Sequence, residues 1–246
     1  IAYYALAEER SALTAQVFTT ARRTAETGTP GSDAQLAWTR LAIALGGEDQ
    51  AGYLAGLLDG GVIPAGLTVD TDLRWAAWIS LAAAGKADEA ELDAELARED
   101  TARSRRQRAK GLAARPSEAA KAAAWDAVVE RDDEPNAMVS AIVAGFARPA
   151  QRALTQPYVE RYFGAIEELW NTRTIEIARR LVVGLYPGAQ DIELDRAAAE
   201  HPVVRRTDRW LNEHPDVSAS LRRLVIEERD HLVRSLRGQE CERSSR

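Results

Sequence analysis

Histidine is the side chain from which catalytic metal sites are most often built, and this chain contains few. Among its 246 residues only His201, His214 and His231 are histidines, and no two of them are four residues apart. A helical H-E-x-x-H zinc site needs that spacing, because it places two imidazoles on one helix face. Glu228 and His231 are three residues apart, which suits a shared helix face. No second pair of this kind occurs, so the sequence predicts no metal site.

Motifs for nucleophilic catalysis and for phosphate binding do not occur either. The sequence has no G-x-S-x-G turn, no G-x-x-x-x-G-K-[ST] loop and no G-x-G-x-x-G. Its single cysteine, Cys241, lies in a polar stretch near the C-terminus. One cysteine cannot form a disulfide within the chain, which favours a reducing, cytoplasmic compartment. We therefore predict that no catalytic residue lies in this chain.

Two runs of charge remain as possible functional surfaces. A basic run within 98–110 suits phosphates or an acidic partner, but carboxylates within 89–100 favour a balanced, outward-facing helix surface. An acidic run within 130–134 falls at a predicted helix end and in the loop that follows, where we expect solvated side chains. The net charge of −6 argues against a nucleic-acid partner.

The elements that must position any site are helices. Apolar residues within 157–170 recur at the three- and four-residue steps of a helix, and 175–185 repeats the pattern. Short breaks rich in glycine and proline separate about a dozen such segments, and Ser117, Pro135 and Pro157 suit helix starts. Short loops imply antiparallel neighbours, and six tryptophans spread over different helices suit a layered array. The sequence predicts an all-α fold.

Nothing in the chain resembles a linker, a signal peptide or a membrane span. No stretch approaches eighteen consecutive apolar residues, and the N-terminus lacks a basic start followed by an apolar core. We predict a single domain over 1–239, followed by a polar, disordered tail over 240–246, and no membrane partner.

Four longer segments resemble the C-terminal region of actinobacterial members of the aminopeptidase N family, which are gluzincin zinc peptidases. More distantly, the chain resembles the C-terminal domain of the endoplasmic-reticulum aminopeptidases. The order and spacing of the four segments agree with those of the actinobacterial members from about residue 32 to residue 239. The segments are GLTVDTDLRWAAWISLAAAGKADEAELDAELARED at 66–100, PNAMVSAIVAGF at 135–146, PYVERYFGAIEELWNTRTIEIARRLVVGLYP at 157–187 and WLNEHPDVSASLRRLVIEERDHLVRSLRGQ at 210–239.

The resemblance implies a curved array of antiparallel helical hairpins, a HEAT-like α-α superhelix, that caps a catalytic chamber. The family's zinc-binding H-E-x-x-H and its G-x-M-E-N motif are both missing, and the only methionine, Met138, stands in another context. The resemblance thus implies a non-catalytic C-terminal domain of a zinc-dependent aminopeptidase. Its partners are then the catalytic domain of the same polypeptide, which holds the zinc, and the peptide substrate.

Arginines beside aromatic stripes are the candidates for holding a peptide carboxylate, since guanidinium groups pair with carboxylates. Arg74 precedes Trp75, and Arg161 lies between Tyr158 and Tyr162. We name Arg74, Tyr158, Arg161 and Tyr162 as candidate substrate-binding residues; the alternative is that both arginines pack structurally.

A different class of function stays open, namely a free-standing HEAT-like scaffold that binds a protein or a nucleic acid. Its best support is the basic run, and the acidic net charge counts against it.

Overall fold

The computed structural model describes residues 1–193 and 196–245, and every regular element in those residues is helical. Thirteen α-helices occur in these two ranges, joined by a few single helical turns. None of them is both long enough and apolar enough to cross a membrane. The helices are α1 (Arg10–Thr27), α2 (Asp33–Leu45), α3 (Ala51–Asp59), α4 (Thr71–Ala83), α5 (Glu89–Arg98), α6 (Ala102–Ala114), α7 (Glu118–Trp125), α8 (Asn136–Phe146), α9 (Arg152–Thr155), α10 (Tyr158–Thr172), α11 (Ile175–Gly184), α12 (Pro202–Glu213) and α13 (Ala219–Ser244). The all-α prediction is confirmed.

Helices begin where the capping residues predict. The Ser117 hydroxyl accepts a hydrogen bond from the backbone N–H of Ala120 at 3.2 Å and so caps α7. Pro135 and Pro157 directly precede α8 and α10, where a missing N–H leaves no helical hydrogen bond unmade. The three predicted helix starts are therefore correct.

The contacts divide the chain into two compact units, where the sequence predicts one domain over 1–239. One, here the N-terminal unit, is Ser11–Ala120, and the other, here the C-terminal unit, is Ile1–Arg10 together with Lys121–Arg246. Each unit has a central helix around which its neighbours pack.

In the N-terminal unit the central helix is α4, which packs against α2, α3 and α6. Its Leu73, Trp75 and Leu81 are buried in one apolar cluster with residues of α2 and α3. Helices α5 and α6 run antiparallel, since Arg105 pairs with Asp100 across the turn and Arg108 pairs with Glu89 near the far end. This unit therefore contains the kind of antiparallel pair that the short loops predict.

In the C-terminal unit α11 is central and packs against α8, α10 and α13. The Tyr162 hydroxyl, near the start of α10, donates a hydrogen bond of 2.8 Å to the carbonyl oxygen of Val182, near the end of α11. Helices α12 and α13 are antiparallel too, as the Arg229 guanidinium donates to the Asp208 carboxylate and that of Arg222 donates to the Leu211 carbonyl oxygen. The HEAT-like curvature stays a prediction.

The tryptophans lie inside the units, as an array of packed layers requires. Trp75, Trp125 and Trp210 are buried. The other three, Trp38, Trp78 and Trp170, are partly buried. None of the six is exposed to the extent of a surface side chain.

Helix α13 extends beyond the point where the sequence predicts a disordered tail. The sequence predicts this tail over 240–246, whereas α13 continues to Ser244, and Arg246 lies outside the described residues. Two side chains anchor this last turn: the Glu242 carboxylate accepts from the backbone N–H of Leu6 at 3.1 Å, and Arg243 donates to the carbonyl oxygen of Glu193. The polar composition of 240–246 gives no sign of these long-range partners.

Candidate functional site

Arg161 lies on an aromatic platform in the C-terminal unit. Its guanidinium carbon is 5.0 Å from the centre of the Trp125 ring and 5.1 Å from that of the Tyr158 ring, distances at which cation–π attraction operates. The two rings are themselves 5.1 Å apart and tilted by 40°. The structure therefore brings together two of the predicted residues, Arg161 and Tyr158, and adds Trp125 to them.

A π-helical turn positions Glu130, which contacts both Trp125 and Arg161. Helix α7 ends in one wide turn, Asp126–Glu130, in which the N–H of Arg131 donates to the carbonyl oxygen of Asp126. Such turns change the direction in which side chains point and are frequent at functional sites. Here the turn directs one Glu130 carboxylate oxygen to both the Trp125 indole N–H at 3.1 Å and the Arg161 guanidinium at 3.0 Å.

Arg173 holds the π-turn from the end of α10. Its guanidinium donates to the carbonyl oxygens of Val129 and Arg131, at 3.0 and 2.6 Å, and pairs with Asp132. These bonds occupy the carbonyls that the end of a helix leaves unpaired. Burial lowers the pKa of Arg173. Glu130 and Asp132 are exposed, as the sequence predicts for the run 130–134, and each also pairs with an arginine, Arg161 of α10 and Arg173 directly after it.

The platform leaves a cation open to solvent beside a pocket. The Arg161 side chain is 49% exposed and that of Glu130 is 52% exposed, so the ion pair between them is weak. A pocket of about 360 Å³ is lined by both of these side chains and by Trp125 and Arg173. A ligand carboxylate has access to guanidinium donors here, next to an aromatic face.

Tyr162 does not belong to this surface. Its side chain is buried, with 1% exposure, and its hydroxyl is used by the Val182 carbonyl oxygen. Its ring packs edge-on against Phe163 and Tyr186, and burial raises the pKa of its hydroxyl well above the usual value. The prediction of Tyr162 as a substrate-binding residue is corrected accordingly: one helical turn from Tyr158, it faces α11.

Arg74 is part of a buried ion pair in the N-terminal unit. Its guanidinium donates to both carboxylate oxygens of Glu95, at 2.7 and 2.6 Å, and to the carbonyl oxygen of Leu58 at 2.8 Å. The Trp78 indole N–H donates to the same carboxylate at 3.0 Å. The hydrogen bond with Glu95 raises the pKa of Arg74. Arg74 therefore packs structurally, which is the alternative to substrate binding named for it from the sequence. The carboxylate of Glu95 is fully paired in this arrangement.

The basic run is balanced, as the neighbouring carboxylates predict. Arg103 pairs with Asp72 at 2.6 Å and Arg105 with Asp100 at 2.6 Å, while Arg108 pairs with Asp93 and Glu89. A phosphate or an acidic partner would have to displace these carboxylates.

The histidines do not assemble a metal site. His201 accepts a hydrogen bond from the N–H of Val203 and caps α12, and the ring of His214 stacks on Trp210 at 4.6 Å. His231 lies 3.7 Å from Glu228. Within residues 1–193 and 196–245 no three His, Cys, Asp or Glu side chains converge on one point, so these residues do not fit a zinc ion, which takes three or four protein ligands.

A larger cavity in the C-terminal unit was not predicted. Its volume is about 410 Å³, and it is lined by residues far apart in the chain, among them Tyr3, Arg148, Tyr158, Tyr186 and Glu228. Tyr158 lines this cavity as well as supporting Arg161. No local pattern marks the cavity, since Arg148 is an isolated arginine after the end of α8.

Comparison with known proteins identifies a similar protein and a family. The chain is 45% identical over 210 residues to aminopeptidase N of Streptomyces lividans. This alignment covers 85% of the chain but only 24% of the length of that relative. Residues 2–234 match the family model described as the ERAP1-like C-terminal domain. Because that match extends over nearly the whole chain, the protein belongs to the ERAP1-like C-terminal domain family.

Proposed function

We propose that this chain is the non-catalytic C-terminal domain of a zinc-dependent aminopeptidase N, in which it caps the catalytic chamber and contributes to peptide access and binding. The family membership and the name of the Streptomyces relative support the peptidase assignment. Its covalent partner is then the catalytic domain, which carries the zinc. The single cysteine favours a cytoplasmic location.

The observation that carries the peptide-binding part of this proposal is the Arg161 platform. Trp125, Tyr158 and Glu130 hold the guanidinium in one place, so little side-chain entropy remains to be lost on binding. About half of the Arg161 side chain is nevertheless exposed. A peptide carboxylate is attracted to the cation, and an apolar side chain next to it can lie against the aromatic rings.

The test is Arg161→Ala in the full-length aminopeptidase that contains this chain. Because the platform acts on the distal part of a peptide, we expect kcat/KM for longer peptides to fall about tenfold or more, as for the loss of a charge-assisted hydrogen bond. Turnover of a single-residue arylamide reporter is expected to change little.

The control is Arg105→Ala combined with Arg106→Ala, which removes charge from the basic run and leaves the platform intact. We expect this variant to keep the peptide-length dependence of the unmodified enzyme. If the control alters that dependence and Arg161→Ala does not, the basic run is the functional surface and the proposal is wrong.

The scaffold alternative has less support. It depends on the basic run, in which Arg103, Arg105 and Arg108 are already paired with carboxylates. Nucleic-acid binding gains its affinity from unpaired cations that release counterions from phosphates.

A further inference from the structure

We propose that the cavity lined by Arg148 and Glu228 binds a free α-amino acid as its zwitterion. The ligand carboxylate pairs with Arg148, its ammonium group pairs with Glu228, and its side chain lies against the tyrosines. The cavity volume of about 410 Å³ is near the lower end for small-molecule sites, which suits one amino acid better than an extended peptide.

Arg148 supplies the positive end of the cavity. It is partly buried, and among residues 1–193 and 196–245 no carboxylate pairs with its guanidinium and no carbonyl oxygen accepts from it. Its charge adds to that of the buried Lys121, whose pKa it helps to lower after the larger effect of burial. A partly buried guanidinium without a counter-charge is costly, and a ligand carboxylate removes that cost.

Glu228 supplies the negative end. Its side chain is only 19% exposed, and burial raises the pKa of its carboxyl group despite the imidazole of His231 at 3.7 Å. The His231 side chain is 62% exposed, so it is free to move aside. An ammonium group next to Glu228 stabilises the ionised form of this carboxylate.

Aromatic side chains that line the cavity are held in place by their neighbours. The Tyr186 hydroxyl is hydrogen-bonded to that of Thr207 at 2.9 Å, and the Tyr158 ring packs edge-on against Phe146 at 5.1 Å. Gln239, which is fully buried, donates to the carbonyl oxygens of Tyr3 and Gln190 and so holds both cavity-lining segments against α13. The cavity is therefore preformed.

An amino acid is also what an aminopeptidase releases. That link rests on the proposed function and would make the cavity a product-sensing site. Binding to the purified 246-residue chain is measured without peptide turnover, so it succeeds or fails independently of the Arg161→Ala experiment.

Titration calorimetry of the purified chain with L-phenylalanine tests the proposal directly. We expect a dissociation constant of about 1 mM or below. N-acetyl-L-phenylalanine, which lacks the ammonium group, and L-phenylalanine amide, which lacks the carboxylate, are expected to bind about tenfold more weakly or worse. Equal binding of either derivative would overturn the zwitterion assignment, and so would an absence of saturable binding by L-phenylalanine itself.

Variants locate the binding in the cavity. Arg148→Gln and Glu228→Gln are each expected to weaken binding of L-phenylalanine about tenfold. Arg234→Gln and Glu213→Gln, which change exposed residues of α13 and α12 outside the cavity, are expected to leave it unchanged. Circular dichroism verifies that each variant is folded, and the derivative series on the unmodified chain decides the question if one is not. Equal losses in the control pair would contradict the assignment.

Discussion

Lys121 is a buried ammonium group held at the end of a helix. Lys121 has no solvent-exposed surface, and its Nζ atom donates to the carbonyl oxygens of Gly145 and Phe146 at 3.3 Å. A cation suits this position, because the last carbonyls of α8 carry the negative end of the helix dipole. Burial nevertheless lowers the pKa of Lys121 from 10.5 to about 8, helped by the charge of Arg148.

This shift predicts how the stability of the chain depends on pH. Between about pH 8 and pH 10.5 the unfolded chain binds the Lys121 proton more tightly than the folded chain, so the contribution of Lys121 to stability rises with pH. Relative to Lys121→Met, the free energy of unfolding is expected to rise by up to about 3 kcal/mol across this window. Below the window the difference is constant.

Urea unfolding of the unmodified chain and of Lys121→Met at a series of pH values measures the difference between their free energies of unfolding. The other titrating groups contribute equally to both proteins and cancel in this difference. A difference that stays flat from pH 7 to pH 11, or falls, would show that the ammonium group is not desolvated in the folded chain.

At the level of the elements, helices α8 and α11 pack closely together at Gly184 of α11, which has no side chain. A Cβ atom on Gly184 would lie 2.4 Å from the Val143 side chain, which as a β-branched residue has little freedom to move. Gly164 in α10 is the opposite case, since a Cβ atom there would meet nothing within 4 Å.

These two glycines form a matched pair for alanine substitution. Gly184→Ala is expected to lower the free energy of unfolding by about 1–3 kcal/mol, because it overpacks the contact with α8. Gly164→Ala is expected to raise it by about 0.5–1 kcal/mol, because alanine restricts the unfolded chain and favours a helix. Thermal unfolding of both variants provides the check, and a stabilised Gly184→Ala protein would contradict the packing described.

The sequence predicts the elements well because helical periodicity is local. The apolar stripes of 157–170 and 175–185 correspond closely to α10 and α11, and the predicted helix starts are correct. Side-chain roles were harder to predict. Tyr158 and Tyr162 share one stripe, yet one supports Arg161 and the other is buried against α11.

Partners distant in the chain account for the remaining differences. Arg148 and Glu228 are 80 residues apart in the sequence and line one cavity only through folding, so neither marks a cavity by itself. Glu130 is solvated as predicted, but its pairing with Arg161 could not be predicted, because Arg161 lies in another helix. The last turn of α13 depends on Leu6 and Glu193 in the same way.

Across the whole molecule, charged side chains are abundant, and many of them pair with one another at the surface. The chain carries 32 basic and 38 acidic residues, and Arg103, Arg105 and Arg108 of the basic run pair with carboxylates of α4, α5 and the loop after α5. Two other arginines, Arg148 and Arg161, line pockets beside aromatic side chains in the C-terminal unit. This distribution suits a peptide or an amino acid better than a polyanion.

The central claim, that the chain is the non-catalytic part of a zinc aminopeptidase, is tested most directly by comparing two purified proteins. Turnover of a leucine arylamide is measured for the 246-residue chain and for the full-length protein that contains it, each loaded with zinc. Because the chain has no H-E-x-x-H and its described residues do not fit zinc, we expect turnover by the full-length protein and none by the chain alone. Zinc-dependent turnover by the isolated chain, or its absence from the full-length protein, would contradict the account.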